Sequence, residues 1–318
     1  MIFGFFKKKK VLFIELNSHL AHASIVENKK SKATLLERVS SPNPFYKDGV
    51  IRDQNAFSQS IHILLSKLPS QDWGTVIIGI DSAYLRYVKL SYSNFSDDLT
   101  DTLRSLKSGG GGSKLVYSQE AGSEIALITM PTLMLSRIYN GLELAGLPAT
   151  RFVPTECFKA LNYERQNSVL GQQTLILNLG FRSTSITVVK DNFLIDHKSW
   201  NLGLENLALA VSKKCEVEID YAKVMLKDIY MFENDEREWT SYGNKHFNKK
   251  ETASIIQVCC KAFLKKILTR DHVNSDRALL FGGAADIPGF DLLAQQFIDN
   301  TVAIKGSNYL SCEQFLFI

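Results

Sequence analysis

Two short segments about 100 residues apart carry residue types that could hold a phosphate group. One runs from Leu175 to Thr184 and the other from Leu279 to Phe290. Each is an apolar run that ends in glycine and continues into small or hydroxyl-bearing residues. Because glycine leaves the backbone bare, a buried strand that ends this way can present a turn to a phosphate or a nucleotide base. A weaker third copy spans Val11 to Ser18.

The elements that must position these segments occur in the same order in both halves of the chain. The apolar runs from Val11 to Leu16 and from Thr174 to Leu179 indicate buried strands. Each is followed by hairpin candidates and then by helical periodicity, such as the apolar stripe within Gln54 to Leu68. The repeated order predicts an internally duplicated α/β fold with two lobes. We place their boundary near 165–173, where the run Tyr163 to Ser168 is polar.

The resulting domain prediction is a first lobe at residues 1–170 and a second lobe at 171–318. The first lobe is expected to contain an inserted small α+β subdomain at about 81–150. Within it, a helix capped by Ser96 is predicted to run through Leu106. The Gly4-Ser element at 109–113 is similar to a flexible laboratory linker that replaces a native loop. Because the chain stops within the apolar run Cys312 to Ile318, we expect the second lobe to be truncated.

Composition limits the class of protein. With 318 residues, 45% of them hydrophobic, the chain can form two compact cores. Much of the net charge of +4 lies in the run Lys7 to Lys10, so a nucleic-acid partner is not predicted. The five scattered cysteines lack a Cys-x-x-Cys pair, which indicates reduced, buried thiols in a cytoplasmic protein. No apolar run approaches the roughly 20 residues that cross a bilayer.

The N-terminus leaves two interpretations open. Its aromatic residues precede the four lysines, an order that does not fit a secretory signal. The segment could contact an anionic membrane surface, with about 1 kcal/mol gained per lysine. It could equally be a solvated tail that precedes the first strand.

Several passages resemble the PilM-type proteins, the actin-like cytoplasmic components of type IV pilus assembly, and their MshI-type relatives. The opening Phe3-Gly-Phe-Phe-Lys-Lys-Lys-Lys10 leads directly into the first strand, and Leu144-Ala-Gly-Leu147 ends a helix, as in that family. Asn178-Leu-Gly180 with Thr184 is similar to the family's Asp-Ile-Gly-x-x-x-Thr. Asn201-Leu-Gly203 and Gly282-Gly283 resemble its later glycine turns. The cell-division protein FtsA has a related fold.

The resemblance implies an actin-like, ribonuclease H-like duplicated fold that holds ATP and Mg²⁺. The metal ligands that it implies are Glu15 and Asn178, at the ends of the two central strands. The implied nucleotide-binding residues are Asn17, Ser18, Gly180, Thr184, Gly203, Gly282 and Gly283.

This chain departs from the family pattern at the positions that matter for chemistry. Glu15 stands where the family has aspartate, and its extra methylene would push the carboxylate into the space of a water or phosphate. Asn178 brings no negative charge to a metal ion. The loop from Asn17 to His22 is bulkier than the family's usual run of small residues. His19 and His22 do not predict a metal site of their own, because no third ligand is evident. Turnover is therefore not expected. Two interpretations remain open. The site could bind nucleotide without hydrolysing it, or the glycines could be kept only because the fold needs tight turns there.

Two functions follow from the resemblance. The first is a scaffold on the cytoplasmic side of the inner membrane that binds the N-terminal cytoplasmic peptide of a PilN-like or MshJ-like membrane protein and contacts the pilus motor ATPases. Tyr84, Arg86 and Tyr87 of the inserted subdomain are the predicted peptide contacts. The second is an ATPase of the FtsA kind that couples ATP state to assembly. A filament-forming actin homologue is a third, weaker alternative.

Overall fold

The computed structural model of the protein describes most of the chain. The described residues are 10–16, 20–29, 32–47, 50–68, 73–80, 83–91, 101, 104–106, 112–147, 151–167, 169–268 and 274–304. They divide into two compact units. The first takes the described residues within Met1–Ser168 and Asn192–Ser199, and the second takes those within Val169–Asp191 and Trp200–Tyr309.

A five-stranded mixed sheet forms the centre of the first unit. Its strands are β1 (Lys10–Leu16), β2 (Leu20–Lys29), β3 (Lys32–Pro42), β6 (Thr75–Ile80) and β10 (Arg151–Pro154), and a small hairpin consists of β4 (Tyr46–Lys47) and β5 (Val50–Ile51). The order in the sheet is β10-β6-β1-β2-β3. β1 pairs antiparallel with β2 and parallel with β6. Every residue of β1 after Lys10 is buried, which explains its nearly continuous apolar run.

In the described part of this unit, three long helices pack with the sheets. They are α1 (Gln54–Ser66), α2 (Thr132–Leu144) and α3 (Thr155–Asn167). Asp53 caps α1 by accepting a hydrogen bond from the Ala56 N–H at 3.0 Å, and the predicted apolar stripe of α1 is buried. Gly141 of α2 lets the Phe57 ring approach closely, because a Cβ there would lie 2.6 Å from Phe57 Cδ1. The third helix, α3, begins directly after β10.

The inserted subdomain is a three-stranded antiparallel sheet. Its strands are β7 (Arg86–Ser91), β8 (Ser113–Ala121) and β9 (Glu124–Pro131), in the order β7-β9-β8. On one face, Tyr117 packs edge-on against Phe158 of α3, with ring centroids 5.1 Å apart. On the other face, Leu90 and Leu106 pack against the buried pair of Ile125 and Leu127. One face therefore attaches the subdomain to the main core.

The second unit repeats this plan. Its sheet contains β11 (Gln173–Leu179), β12 (Thr184–Lys190), β16 (Arg277–Gly282) and β17 (Thr301–Ala303), and β13 (Phe193–Trp200), whose residues up to Ser199 are grouped with the first unit, is the edge strand of the same sheet. A separate hairpin consists of β14 (Trp239–Tyr242) and β15 (Lys245–Asn248). Its helices are α4 (Leu204–Cys215), α5 (Ile219–Asp228), α6 (Lys249–Ile267), α7 (Gly283–Asp286) and α8 (Phe290–Gln295). The sheet order is β13-β12-β11-β16-β17.

The two sheets have matching topology. In each, the central strand pairs antiparallel with the next strand of the chain and parallel with a strand that returns after at least one helix. Beyond that strand, each sheet has one more parallel strand: β10 beside β6 in the first sheet and β17 beside β16 in the second. The matching topology confirms the predicted duplication.

Several sequence predictions need correction or fall outside the described residues. The units divide between Ser168 and Val169, within the predicted boundary range of 165–173, but the polar run from Tyr163 is helical, because α3 continues to Asn167 with Glu164 fully buried. The hairpin formed by β14 and β15 was not predicted. Ser96 and most of the Gly4-Ser element lie outside the described residues, but Ser113 already belongs to β8.

The cysteine prediction holds for the residues that the structure describes. Cys157, Cys215, Cys259 and Cys260 are free thiols, and all four are buried. Burial raises the pKa of the Cys260 thiol, which keeps it protonated and unreactive. In the described part of the chain, no helix is both long and apolar enough to span a bilayer.

Candidate functional site

The carboxylate predicted to bind a metal, Glu15, is held by a lysine. Its side chain lies near the carboxyl end of β1, where it is only 9% exposed. The Lys159 ammonium donates to Glu15 Oε1 at 2.8 Å and to Glu156 Oε1 at 3.2 Å. Arg38 lies at the edge of this cluster, with Nη2 4.0 Å from Glu15 Oε2. Two carboxylates are therefore matched by two cationic side chains.

The electrostatics of Glu15 follow from these neighbours. Burial by itself raises the pKa of the carboxyl, but the Lys159 charge and hydrogen bond, with smaller contributions from His22 and Arg38, outweigh it and lower the pKa overall. The carboxylate is thus ionised and already neutralised by protein groups.

Local sequence places the lysine. Glu156 and Lys159 stand three residues apart in α3, which puts both side chains on one face of the helix. The helix starts immediately after β10, and β10 is two strands away from β1 in the sheet. Gly79 of β6 lets the Phe13 ring of β1 and Thr155 at the start of α3 approach the sheet backbone closely. A Cβ at this position would lie 2.8 Å from both the Phe13 ring and Thr155 Oγ1.

The second predicted metal ligand, Asn178, lies over a glycine of the neighbouring strand. In the register of the sheet it stands opposite Phe281 of β16. A Cβ on Gly282 would lie 2.7 Å from Asn178 Oδ1 and 2.6 Å from the Leu179 carbonyl oxygen. Gly282 also has φ +67 and ψ −147, a backbone conformation that is rare for other residues. The glycine is therefore required by the fold itself.

The two other glycine turns pack on each other. The Gly180 N–H donates to the Ser183 carbonyl at 2.9 Å, which closes the turn between β11 and β12. Leu204 N–H donates to the Gly180 carbonyl at 3.0 Å, and Glu205 N–H donates to the Phe181 carbonyl at 2.8 Å. The N-terminus of α4 thus gives two of its N–H groups to the turn that the sequence predicted as a phosphate loop.

Gly203 makes this contact sterically feasible. A Cβ on Gly203 would lie 2.6 Å from backbone atoms of Phe181 and Arg182. Thr184, the predicted phosphate-loop threonine, instead donates its hydroxyl to the Leu202 carbonyl at 2.5 Å. Gly283 packs against Leu204, with Cδ2 3.2 Å from where its Cβ would be.

These contacts decide whether the implied metal fits. An ion at Glu15 would have to displace the Lys159 ammonium from the same carboxylate oxygen, and Asn178 supplies a neutral amide. The residues present therefore do not fit Mg²⁺ as ligands. Within the described ranges, no three His, Cys, Asp or Glu side chains are arranged to hold a metal ion. Asn17 and Ser18 lie outside those ranges.

The predicted peptide contacts do not lie on one face. Tyr87 is half-buried and donates its hydroxyl to the Leu194 carbonyl at 3.2 Å. Burial, with the Asp196 and Glu124 charges, raises the pKa of this phenol. Arg86, the preceding residue in β7, points to the opposite face and is exposed. Tyr84 is half-buried in the turn before the strand.

Sequence reasoning missed two residues that organise the first unit. Lys159 could have been found as a charged residue at helical spacing from Glu156 within an otherwise apolar stretch. Gln119 of β8 donates to the Asn192 carbonyl at 2.6 Å and accepts from the Leu194 N–H at 3.1 Å, which attaches the start of β13 to the inserted sheet. Nothing in the local sequence indicates that second contact.

Comparison with known proteins gives the fold. Neither a protein-family model nor a curated protein sequence matches the chain. Among solved structures, it is similar to one from the "PilM-PilN type IV pilus biogenesis complex", with a TM-score of 0.67 at 14% identity, covering 93% of this chain and 88% of that one. It is also similar to MreB5 of Spiroplasma citri bound to AMPPNP (TM-score 0.57, 11% identity, 96% and 93% covered). A third similar structure is the ethanolamine utilization protein EutJ of Carboxydothermus hydrogenoformans. Its TM-score is 0.53 at 12% identity, covering 98% of this chain and 90% of that one. The chain therefore has an actin-like α/β fold.

Proposed function

We propose that the chain is a cytoplasmic docking subunit of a type IV pilus assembly platform, of the MSHA-like kind. Its partner is the N-terminal cytoplasmic peptide of a PilN-like or MshJ-like membrane protein. The observation that supports this most is the similarity to a structure from a PilM–PilN complex over 93% of the chain. The subunit would lie at the inner membrane as a peripheral protein, contact the pilus motor ATPases and bind no nucleic acid.

The inserted sheet offers an edge for such a peptide. β8 lies against β10, whereas no described strand pairs with the outer edge of β7. Alternate N–H and C=O groups of β7 point away from β9, and an extended peptide can pair with them. Arg86 and Val88 share the outer face of this strand, and Val88 is 39% exposed. We place the peptide along this edge, with Arg86 and Val88 beneath its side chains.

The Val88→Asp substitution should weaken peptide binding about tenfold, a loss of about 1.4 kcal/mol. The added charge would replace the apolar contact that Val88 makes beside the peptide, on the face that also carries Leu90. A melting temperature close to that of the wild type would show that the variant is still folded. Fluorescence anisotropy with a labelled N-terminal peptide of a PilN-like protein from the same organism measures the dissociation constant. A scrambled peptide should not bind.

The matched control is Val302→Asp in β17, an exposed valine on a strand of the other unit. It should leave the affinity unchanged. A second control addresses the groove of about 370 Å³ between α1 and α2, which is lined by Ile63, His62 and Leu144 among others. If Ile63→Asp abolishes binding and Val88→Asp does not, the peptide lies in that groove and our placement is wrong. If the native peptide binds no better than the scrambled one, the proposed function fails.

Nucleotide binding without hydrolysis is the second candidate function. It is favoured by the similarity to an MreB5 structure bound to AMPPNP and by the retained glycines Gly180, Gly203, Gly282 and Gly283. The packing of α4 on the turn at Gly180 argues against it, because the Leu204 and Glu205 N–H groups at the start of that helix are already bonded to the turn. We therefore expect millimolar Mg-ATP to shift the melting temperature by less than about 1 °C. A concentration-dependent rise would favour nucleotide binding, and phosphate release would favour the ATPase of the FtsA kind.

A further inference from the structure

The side chain of Lys159 ends between two buried carboxylates, one of which, Glu15, is a metal ligand that the family resemblance implies. We propose that Lys159 is a built-in cation that takes the place of a divalent metal at the acidic end of β1. The first unit then keeps its folded structure without Mg²⁺. This inference goes beyond the proposed docking function and does not depend on which peptide binds.

Geometry and burial support this assignment. Lys159 Nζ lies 2.8 Å from Glu15 Oε1 and 3.2 Å from Glu156 Oε1, so one ammonium contacts both acids. The side chains of Glu15 and Glu156 are 9% and 6% exposed, whereas that of Lys159 is 19% exposed. Carboxylates this deeply buried need a cation close to them, because water cannot compensate their charge.

The charges of the cluster balance without an added ion. Glu15 and Glu156 contribute two negative charges, and Lys159 with Arg38 contributes two positive charges. The imidazole of His22, opposite Glu15 in the register of β1 and β2, adds to the positive side when protonated. A divalent cation would leave an excess of two positive charges, and it would compete with the ammonium for the same oxygen.

A covalently attached cation has a different consequence from a bound one. A metal ion stabilises the folded state only in proportion to its free concentration, whereas a lysine is always present. The structure of the first unit should therefore be insensitive to cellular Mg²⁺ and to any nucleotide that carries it. A docking subunit with this property would hold its partner constitutively.

The first test is a mutant cycle on thermal stability. Lys159→Met removes the ammonium but keeps an apolar stem of similar length, and it should lower the melting temperature by roughly 6 °C or more. Adding Glu15→Gln to this variant removes the stranded charge and should restore most of the loss. The matched control is Lys89→Met, which breaks the 2.7 Å Lys89–Glu124 pair, whose side chains are 39% and 38% exposed. It should change the melting temperature by about 1 °C or less.

The second test asks whether a metal can replace the lysine. Lys159→Ala leaves both acids facing a space that a hydrated cation can enter. With about 10 mM Mg²⁺ its melting temperature should rise relative to EDTA, and Mn²⁺ titration followed by electron paramagnetic resonance should show one bound ion. The wild-type protein should show neither response.

Three results would overturn the proposal. The first is a wild-type melting temperature that rises with Mg²⁺ alone. The second is a Lys159→Ala variant that folds but binds no Mn²⁺. The third is a double variant, Glu15→Gln with Lys159→Met, that is no more stable than Lys159→Met. If Lys159→Ala does not fold, the double variant is the decisive test, because a melting temperature above that of Lys159→Met supports the proposal. Peptide affinity is not measured in any arm, so failure here leaves the docking function untouched.

Discussion

The Gly282→Ala substitution should destabilise the second unit by about 3 kcal/mol or more. Two costs combine at this position. The backbone conformation, with φ +67 and ψ −147, disfavours any residue with a Cβ. The added methyl group would also lie 2.6 Å from the Leu179 carbonyl oxygen, which belongs to the central strand of the sheet and cannot move away. Urea unfolding followed by tryptophan fluorescence measures the change.

The Gly146→Ala substitution separates the two costs. Gly146 follows α2 and also has a positive φ of +78, but a Cβ there would meet no atom within 4 Å. Its replacement should cost only about 1 kcal/mol, the conformational part of the penalty. If Gly282→Ala costs no more than this control, the close approach to Leu179 is unimportant. Gly282 would then again be a candidate nucleotide-binding residue, at a position that lacks a side chain so that a nucleotide can approach the backbone.

Acidification from pH 7.5 to pH 5 should remove about 2 kcal/mol of stability through His197 alone. Burial lowers the pKa of this imidazole from 6.5 to about 4, against the opposing effect of the Asp196 charge. In the unfolded chain the histidine takes up a proton below about pH 6.5, whereas in the folded chain it stays neutral until about pH 4. The unfolded state therefore binds more protons in this window, and stability falls as the pH falls.

The His197→Gln variant should lose most of this pH dependence. Glutamine can replace the hydrogen bond between His197 Nε2 and Ser199 Oγ, which spans 3.1 Å. The lowered pKa of Glu15 contributes stability that is lost mainly below pH 4.5, so the chosen range isolates the histidine. His62→Gln, at an exposed position of α1, is the control substitution. Urea-unfolding free energies at the two pH values give the comparison, and an unchanged slope in His197→Gln would contradict the assignment.

These expectations share one view of the site. Two of the described residues that the family resemblance assigns to nucleotide and metal are bonded inside the protein: Glu15 pairs with Lys159, and the turn at Gly180 is bonded to the start of α4. A site whose donors and acids are already satisfied has little free energy left for a ligand.

The duplicated fold could be predicted because its signal is local. Continuous apolar runs such as Val11 to Leu16, helical stripes such as that of α1, and glycine-terminated strands are visible within short windows of sequence. Their order then determines the topology, since strand, hairpin and helix occur twice. The boundary predicted near 165–173 agrees with the division of the units between Ser168 and Val169, but the polar run from Tyr163 did not reveal its own structure. In the structure it is the end of a helix whose acid Glu164 is buried.

The candidate site could be predicted only in part. The sequence located the two glycine turns and the substitutions Glu15 and Asn178 relative to the family pattern. It could not show that Lys159, 144 residues from Glu15, supplies the opposing charge. Nor could it show that the Tyr87 hydroxyl donates to the carbonyl of Leu194, 107 residues away. Contacts of this kind depend on which sheet faces meet, which short-range periodicity does not encode.

The amino-acid sequence alone determined the class of fold, its internal repeat and the loss of the aspartates that its family resemblance implies. Each of these depends on residue type and spacing within one element, where hydrophobic burial and backbone freedom act locally. Only the tertiary structure decided what the altered positions do instead. The pairing of Glu15 with Lys159 and the packing of Gly203 on Phe181 join residues of separate elements, and such contacts exist only once the chain has folded.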